Sequence, residues 1–203
     1  MPIPTKIVCV GRNYAAHARE LGNDVPERPL IFLKPPSALI GDGDAIVLPP
    51  ESQRVEHEAE IALVIGRRAR NVPAAAAMDF VAGFAPLNDV TARDLQKADG
   101  QWTRAKGFDT FCPVGAITPA AAVDWPALEI VCRVNGDVRQ RGRARDMTFD
   151  FPALVAYISR VMTLEPGDLI ATGTPEGVGP LEPGDLVEVE IPGLATLANP
   201  VTG

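Results

Sequence analysis

Histidine, cysteine and suitably placed serine are scarce in this sequence, which removes several common kinds of catalytic site. Only two histidines are present, His17 and His57, and the three cysteines are far apart with no CxxC pair. Two histidines are too few for a histidine-rich zinc site, and no serine lies on the glycine-flanked turn of a serine hydrolase. Neither a P-loop nor a G-x-G-x-x-G turn is present. Carboxylate chemistry is what remains.

Long apolar segments and runs of positive charge are absent as well. No apolar run approaches the ~18 residues that a membrane span requires, and the first ten residues lack the apolar core of a signal peptide. Lysine and arginine number 19 against 26 acidic residues, a net charge of −7, which is unfavourable for binding a phosphate backbone. The cysteines suit reduced, buried thiols better than disulfides. We therefore expect a cytoplasmic protein with neither a membrane nor a nucleic-acid partner.

Proline and glycine are abundant, with 20 and 18 residues, and this composition favours many short strands joined by turns. Asn135-Gly136 predicts a tight hairpin, whereas Phe151–Met162 has the apolar spacing of an amphipathic helix. Ala15–Leu21 predicts a short helix that ends at a glycine. No linker or change of composition divides the chain. The sequence therefore predicts a single domain over residues 1–203, of the α+β class and predominantly β.

A strand with acidic residues at every second position is the most informative segment. In "VEHEAEIALVIG", which starts at Val55, Glu56, Glu58 and Glu60 fall on one face of the predicted strand. Two ionised carboxylates on a buried face need either a shared proton or a cation between them. An all-oxygen set suits a hard ion such as Mg²⁺, Mn²⁺ or Ca²⁺, and Asp89, just before a predicted helix, is a candidate third ligand. The alternative is a charged edge strand exposed to solvent.

A histidine and a glutamate lie three residues apart on the predicted short helix. In that arrangement Glu20 can orient His17, and the pair can take a proton from water. The same spacing also fits a surface ion pair, and spacing alone favours that simpler reading.

Potential hydrogen-bond donors follow Asp89 in the chain. Arg93 and Gln96 are three residues apart on a helix predicted to have Thr91 as its N-cap, and Lys106 lies in the predicted loop Gly100–Gly107. Taken one at a time, these side chains also fit solvated charges or amides.

Six segments in a fixed order make the chain recognisable. They are "GRNYAAHAREL", "KPPSALIGDGDAIVLP", "VEHEAEIALVIG", "FAPLNDVTARDLQ", "WTRAKGFDTFCPVG" and "GDLIATGTPEGVGPL". Together they resemble the fumarylacetoacetate hydrolase superfamily, in particular its small single-domain acylpyruvate hydrolase and oxaloacetate decarboxylase branch. The likeness extends from Lys6 to Val201.

The resemblance implies a fold of packed mixed β-sheets with a few short helices, a homodimer, and a bound Mg²⁺ or Mn²⁺ ion. By motif, Glu58, Glu60 and Asp89 correspond to the metal ligands. His17 and Glu20 match the water-activating pair on a lid helix, and Lys106 matches the residue that stabilises the enolate. The residues that match substrate contacts are Arg93, Gln96 and Thr174. His57 is expected to have a structural role, and Glu56 no bond to the metal.

The implied activity is hydrolysis of the C–C bond of 2,4-dioxo acids, that is, acylpyruvates such as fumarylpyruvate, to pyruvate and a carboxylic acid. Oxaloacetate decarboxylation or tautomerisation, or hydration of a 2-oxo-enoic acid, would use the same metal and enolate site. A metal-containing binding protein without turnover is the non-enzymatic alternative. In each enzymatic case the partner is a small 2-oxo acid.

Overall fold

Short strands make up most of the regular structure. The computed structural model describes residues 3–203. Its strands are β1 (Ile7–Gly11), β2 (Leu30–Lys34), β3 (Leu39–Ile40), β4 (Ile46–Val47), β5 (Val55–His57), β6 (Ala59–Ile65), β7 (Val81–Asn88), β8 (Thr91–Ala92), β9 (Cys112–Pro113), β10 (Thr118–Pro119), β11 (Glu129–Val134), β12 (Asp137–Arg143), β13 (Leu169–Ala171), β14 (Gly179–Pro180), β15 (Leu186–Ile191) and β16 (Ala195–Thr202). The α-helices are α1 (Ala15–Glu20), α2 (Arg93–Asp99), α3 (Thr103–Lys106) and α4 (Phe151–Val161). The predicted α+β class, mostly β, is confirmed.

Two larger sheets form the body of the fold. One has the order β10-β7-β6-β13-β1-β2, and the other has the order β12-β11-β15-β16-β4. Both are mixed, because β1 pairs with β13 and β16 pairs with β4 in parallel, whereas the remaining pairs are antiparallel. Strands β6 and β7 contact β11, β15 and β16 across the interface. The two sheets therefore pack face to face, as expected for a β-rich fold.

The strand β6 is apolar on both faces because both faces are buried. Ile61, Leu63 and Ile65 belong to the main core between the sheets, whereas Ala62 and Val64 belong to a second apolar cluster on the opposite face. All five are at most 5% exposed. This double burial explains why the acidic start of the segment gives way to a continuous apolar run.

All three cysteines are free and buried, as their number and spacing predict. Cys9 and Cys112 lie in the second apolar cluster, and Cys132 lies in the main core. Burial raises the pKa of the Cys112 and Cys132 thiols to about 12. The thiols are therefore protonated, inert apolar side chains.

The predicted hairpin and the long helix are both present. Strands β11 and β12 pair across Asn135-Gly136, whose φ angles of 54° and 85° suit a type I′ turn. Helix α4 begins after Asp150, whose side chain accepts a hydrogen bond from the Ala153 N–H at 2.9 Å. Among residues 3–203, no helix is long and apolar enough to cross a bilayer.

Two local predictions are wrong. Thr91 is not the cap of α2: it lies in β8, and its hydroxyl donates to the Asp89 carbonyl instead. The residue before α2 is Ala92, which has no side-chain cap. The predicted loop Gly100–Gly107 contains the short helix α3. In both places contacts with the neighbouring strands decide the local structure, because β8 pairs with β5 and α3 packs on β2 and β8.

Candidate active site

Three buried carboxylates meet where β6 and β7 lie side by side. Glu60 is in β6, Glu58 immediately precedes β6, and Asp89 immediately follows β7. The two strands are antiparallel, with Ala59 opposite Asn88, so that the start of one strand meets the end of the other. Oxygen atoms of the three carboxylates lie within 4.8 Å of one another, and each residue is at most 4% exposed.

The chain is interrupted at Glu58 rather than forming one continuous strand. Strand β5 pairs with β8 and β14 in a three-stranded sheet, and β6 belongs to the six-stranded sheet. Side chains satisfy the backbone at the break: Asn88 Oδ1 accepts from the Glu58 N–H at 2.9 Å, and Gln140 Oε1 accepts from the Ala59 N–H at 3.0 Å. The ligand-bearing backbone is therefore held by side chains from other strands.

Two buried lysines face the carboxylates. Lys106, at the end of α3, donates from Nζ to Glu58 Oε2 at 2.8 Å and to Asp89 Oδ2 at 2.7 Å. Lys34, at the end of β2, donates to Asp89 Oδ1 at 2.6 Å and to the Val90 carbonyl. Both lysines are 1% exposed. Sequence reasoning missed Lys34, because a lysine at the end of an apolar strand has the pattern of an ordinary solvated residue.

A buried arginine joins two of the acidic side chains. Arg93 donates from Nε to Glu56 Oε2 at 2.7 Å and from a terminal nitrogen to Glu58 Oε1 at 2.5 Å. Its other terminal nitrogen donates to Gln96 Oε1 at 2.6 Å, as the three-residue spacing on the helix predicts. Arg93 therefore orients Glu58, and Glu56 lies outside the triad in ion pairs with Arg93 and Arg54.

The electrostatic environment shifts the pKa values of Glu58 and Glu60 in opposite directions. Burial acts to raise the pKa of Glu58, but Lys106 and Arg93 outweigh it and hold that pKa below its ordinary value. Burial, with Asp89 and Glu58 nearby, raises the pKa of Glu60 well above its ordinary value. Glu60 accepts the Gly173 N–H at 2.7 Å, and among residues 3–203 no lysine or arginine forms an ion pair with it.

The donor set fits a divalent cation. Three buried carboxylates converge, and one of them, Glu60, has no ammonium or guanidinium partner among the described residues. Buried negative charge of this kind requires a compensating cation or a proton. Oxygen-only ligands suit a hard divalent ion. Glu58, Glu60 and Asp89 are thus the residues that would hold it.

The histidine and glutamate of α1 are in contact at the same site. His17 Nδ1 lies 3.2 Å from Glu20 Oε2, and the Gly177 N–H donates to Glu20 Oε1 at 3.0 Å. His17 is buried, whereas the Glu20 side chain is 34% exposed. The short helix is thus attached to the loop that carries Gly177, and the pair is accessible to water.

The hydroxyl group of Thr174 both donates and accepts a hydrogen bond. It donates to the Ala59 carbonyl at 2.9 Å and accepts from Gln140 Nε2 at 2.7 Å. Gln140 also accepts from the Ala59 N–H and lies 2.9 Å from His57 Nδ1. This network joins the loop at Thr174 to Ala59, the residue between Glu58 and Glu60. Sequence reasoning missed Gln140, and no spacing or motif could have indicated it.

One cavity of about 470 Å³ brings the whole set together. All nine residues singled out from the sequence line it: His17, Glu20, Glu58, Glu60, Asp89, Arg93, Gln96, Lys106 and Thr174. His57, by contrast, is buried beside Gln140 and Cys132, outside the cavity lining. The cavity therefore contains acidic ligands, a buried ammonium and a histidine–glutamate pair.

The family model for the fumarylacetoacetate (FAA) hydrolase C-terminal region matches residues 6–202. The chain belongs to the fumarylacetoacetate hydrolase family. An Arabidopsis thaliana protein named as a mitochondrial oxaloacetate tautomerase is 53% identical over 196 residues, which cover 94% of this chain and 88% of the relative.

Solved structures of family members share the fold closely. A 5-carboxymethyl-2-hydroxymuconate delta-isomerase from Mycobacterium smegmatis is 52% identical with a TM-score of 0.92, covering 98% of this chain and 79% of that one. A fumarylpyruvate hydrolase from Pseudomonas aeruginosa, solved with Mn²⁺ and pyruvate, is 37% identical with a TM-score of 0.91 and covers 97% and 89%. The expected family fold is confirmed, and these relatives identify the chain as an enzyme of the fumarylacetoacetate hydrolase family.

Proposed function

We propose that this family member is a divalent-metal-dependent hydrolase that cleaves the C–C bond of 2,4-dioxo acids, acylpyruvates such as fumarylpyruvate, to pyruvate and a carboxylic acid. The observation that carries the proposal is that the His17–Glu20 pair lines the same cavity as the carboxylate triad and Lys106. Carbon–carbon hydrolysis needs a base for water and a positive charge for the carbanion that leaves. Both lie in one cavity here.

Different side chains of the cavity are proposed to assist different steps of the reaction. Glu20, oriented by His17, takes a proton from water, and the resulting hydroxide adds to the C4 carbonyl of the substrate. The C3–C4 bond then breaks, its electron pair stays with C3, and the ammonium of Lys106 stabilises the enolate charge that develops. A proton returned to C3 gives pyruvate. A Mg²⁺ or Mn²⁺ ion held by Glu58, Glu60 and Asp89 would supply Lewis acidity toward the 2-oxo acid.

Arg93, Gln96 and Thr174 are proposed to surround the pyruvyl end of the substrate. In the structure their hydrogen bonds are largely made within the protein: Arg93 binds Glu56 and Glu58, and Thr174 binds Ala59. Their first contribution is therefore to fix the walls of the cavity, and Gln96 is positioned by Arg93.

Oxaloacetate tautomerisation or decarboxylation is the second candidate, and the 53% identity with the Arabidopsis protein, which is named as a tautomerase, favours tautomerisation. Each of these reactions forms the same kind of enolate and needs no attacking water. A water-activating role for Glu20 is therefore what separates the two candidates.

Glu20→Gln is the variant that tests the hydrolase proposal. We expect kcat for acylpyruvates to fall by about 100-fold or more, with Mn²⁺ affinity unchanged because Glu20 is not in the triad. Arg19→Gln, exposed on the same helix, is the matched control. Wild-type hydrolysis rates in Glu20→Gln would contradict the mechanism. Conversion of oxaloacetate alone by the wild-type protein would favour the second candidate.

We also propose that the enzyme is a cytoplasmic homodimer. The proposal rests on the family resemblance, together with three thiols that are all free and buried. Light scattering on the eluting protein should give twice the chain mass of 21.6 kDa. A mass of one chain would contradict the homodimer.

A further inference from the structure

We propose that the outer part of the cavity binds a second carboxylate of the substrate through Arg12 and Lys97. On this basis the enzyme selects 2-oxo dicarboxylic acids over 2-oxo acids with an alkyl end. The inference rests on the proposed function, because it assumes that the 2-oxo end of the substrate lies at the carboxylate triad.

Burial gives the cavity an inner and an outer end. Glu58, Glu60 and Asp89 are at most 4% exposed, whereas Arg12 is half-buried and Lys97 is exposed, although both line the same cavity. Lys97 follows Arg93 by four residues on α2, which puts it one helical turn beyond the guanidinium that contacts Glu58. The two cations therefore belong to the more exposed part of the cavity lining, and the triad belongs to its buried part.

Among the described residues, two of the three inner carboxylates are paired with cations, and the third, Glu60, belongs to the set that would hold the metal ion. Glu58 and Asp89 have lysine and arginine partners, and Glu20 has His17 and the Gly177 N–H. Arg54, a further cation in the lining, is paired with Glu56.

The two remaining cations have no acidic partner. Within residues 3–203, no carboxylate lies within 4.0 Å of the Arg12 guanidinium or the Lys97 ammonium. The uncompensated charge at the outer end of the cavity is thus positive.

The backbone holds Arg12 in an uncommon conformation. Its φ angle is 58°, in the left-handed region that non-glycine residues rarely adopt. Both neighbours are fixed: a Cβ on Gly11 would lie 3.0 Å from the Trp102 ring, and the buried Asn13 side chain bonds to Phe149 and Thr172. Such outliers persist where the surroundings impose them, and they are concentrated at binding and catalytic sites. The direction of the Arg12 Cα–Cβ bond is therefore set by the fold.

The chemistry of the two groups matches a carboxylate. A guanidinium can donate two parallel hydrogen bonds to the two carboxylate oxygens, and an ammonium in the lining of the same cavity adds a point charge. An alkyl end at the same place would displace water from both cations and offer no acceptor in return, which is the kind of mismatch that rejects a substrate strongly.

Binding of ligands that the enzyme does not cleave tests this inference separately from turnover. We would load the protein with Mn²⁺ and measure the Kd of 2-oxoglutarate, a dicarboxylate, and of 2-oxopentanoate, which has the same chain length and an alkyl end. The inference predicts at least tenfold tighter binding of 2-oxoglutarate. Equal affinities of the wild-type protein for the two ligands would overturn it.

Arg12→Asn is the decisive variant, because asparagine tolerates a positive φ and has no charge. It should reduce the preference for 2-oxoglutarate at least tenfold, and Lys97→Gln, at an exposed position, should reduce it by a smaller factor. Arg19→Gln, exposed on α1, is the control and should leave the preference intact. An unchanged preference in the Arg12→Asn/Lys97→Gln double variant would also overturn the inference. Absence of turnover of every 2-oxo acid would instead refute the proposed function, and the binding measurements would still decide this inference.

Discussion

The ammonium of Lys106 lies 2.7 Å from Asp89 Oδ2, with both side chains at most 2% exposed. The same nitrogen donates to Glu58 Oε2 at 2.8 Å. Burial acts to lower the pKa of Lys106, but Asp89 and Glu58 outweigh it and raise that pKa above its ordinary value. Lys106 is therefore a fixed positive charge directly beside the candidate metal ligands.

Lys106→Met should separate catalysis from metal binding. Because the enolate loses its positive partner, we expect kcat to fall by about 100-fold or more, with Mn²⁺ still bound by the triad. Because Glu58 and Asp89 lose a buried partner, the Tm of the metal-free variant should also fall. Adding Mn²⁺ should then raise the Tm of the variant by more than it raises the Tm of the wild-type protein. Arg104→Met, exposed on the same short helix, is the control. Retention of wild-type kcat would contradict the role of Lys106.

Gly173→Ala should weaken metal binding through Glu60. A Cβ at position 173 would lie 2.6 Å from the Asn13 Cβ, and Gly173 has a φ of 102° and donates to Glu60 Oε2. We expect a loss of stability of about 2 kcal/mol or more and a higher Kd for Mn²⁺. Gly184→Ala is the matched control, since Gly184 has a φ of 96° but nothing within 4 Å of its Cβ position. Equal effects of the two substitutions on Mn²⁺ affinity would contradict the account of Gly173.

Gln140→Met should disturb the cavity without removing any proposed catalytic group. The substitution removes the acceptor of the Ala59 N–H and the donor to Thr174, leaving buried polar groups unsatisfied at about 1–3 kcal/mol each. We expect weaker Mn²⁺ binding and a higher KM, measured well below Tm. Arg139→Gln, on the same strand, is the control, and unchanged Mn²⁺ affinity and KM in Gln140→Met would contradict a positioning role.

The environment of the Asp168 carboxylate predicts that the folded protein loses stability at acidic pH. Its side chain is fully buried and accepts from the Thr5, Lys6 and Glu165 N–H groups and from Lys6 Nζ. Burial acts to raise its pKa, but these hydrogen bonds hold the pKa below its ordinary value. The unfolded chain then binds the proton more readily, so this contribution to stability is complete above the ordinary pKa of about 4 and is lost as pH falls below it.

Urea unfolding measured from about pH 6 down to about pH 3 checks this sign. Asp168→Asn should be less stable than wild type at about pH 6 and should lose less stability below about pH 4. Asp79→Asn, at an exposed position, should follow the wild-type curve. A parallel pH dependence in Asp168→Asn and wild type would contradict the assignment.

Local patterns were sufficient where neighbouring residues decide the structure. Asn135-Gly136 forms the turn that its backbone preferences predict, and the alternation after Val55 brings Glu58 and Glu60 to one point. The break in the strand at Glu58 was not predictable, because it is stabilised by Asn88 and Gln140 from other strands.

Residues that reach the site from distant segments could not be found by spacing. Lys34 contacts Asp89 across 55 residues and Gln140 contacts Ala59 across 81. Nothing next to either residue in the sequence indicates its partner. The ordered motifs of the family, in contrast, gave nine site residues, and all nine line the cavity. The single-domain organisation stays a prediction.

The most direct test of the account is the rate of conversion of 2-oxo acids before and after removal of metal. Acetylpyruvate, fumarylpyruvate and oxaloacetate would be assayed with protein stripped by EDTA and then titrated with Mn²⁺, with protein-free blanks. The account predicts loss of activity on stripping, recovery at about one Mn²⁺ per chain, and no recovery in Glu60→Gln. Full activity of the stripped protein, or no conversion of any of the three acids, would contradict it.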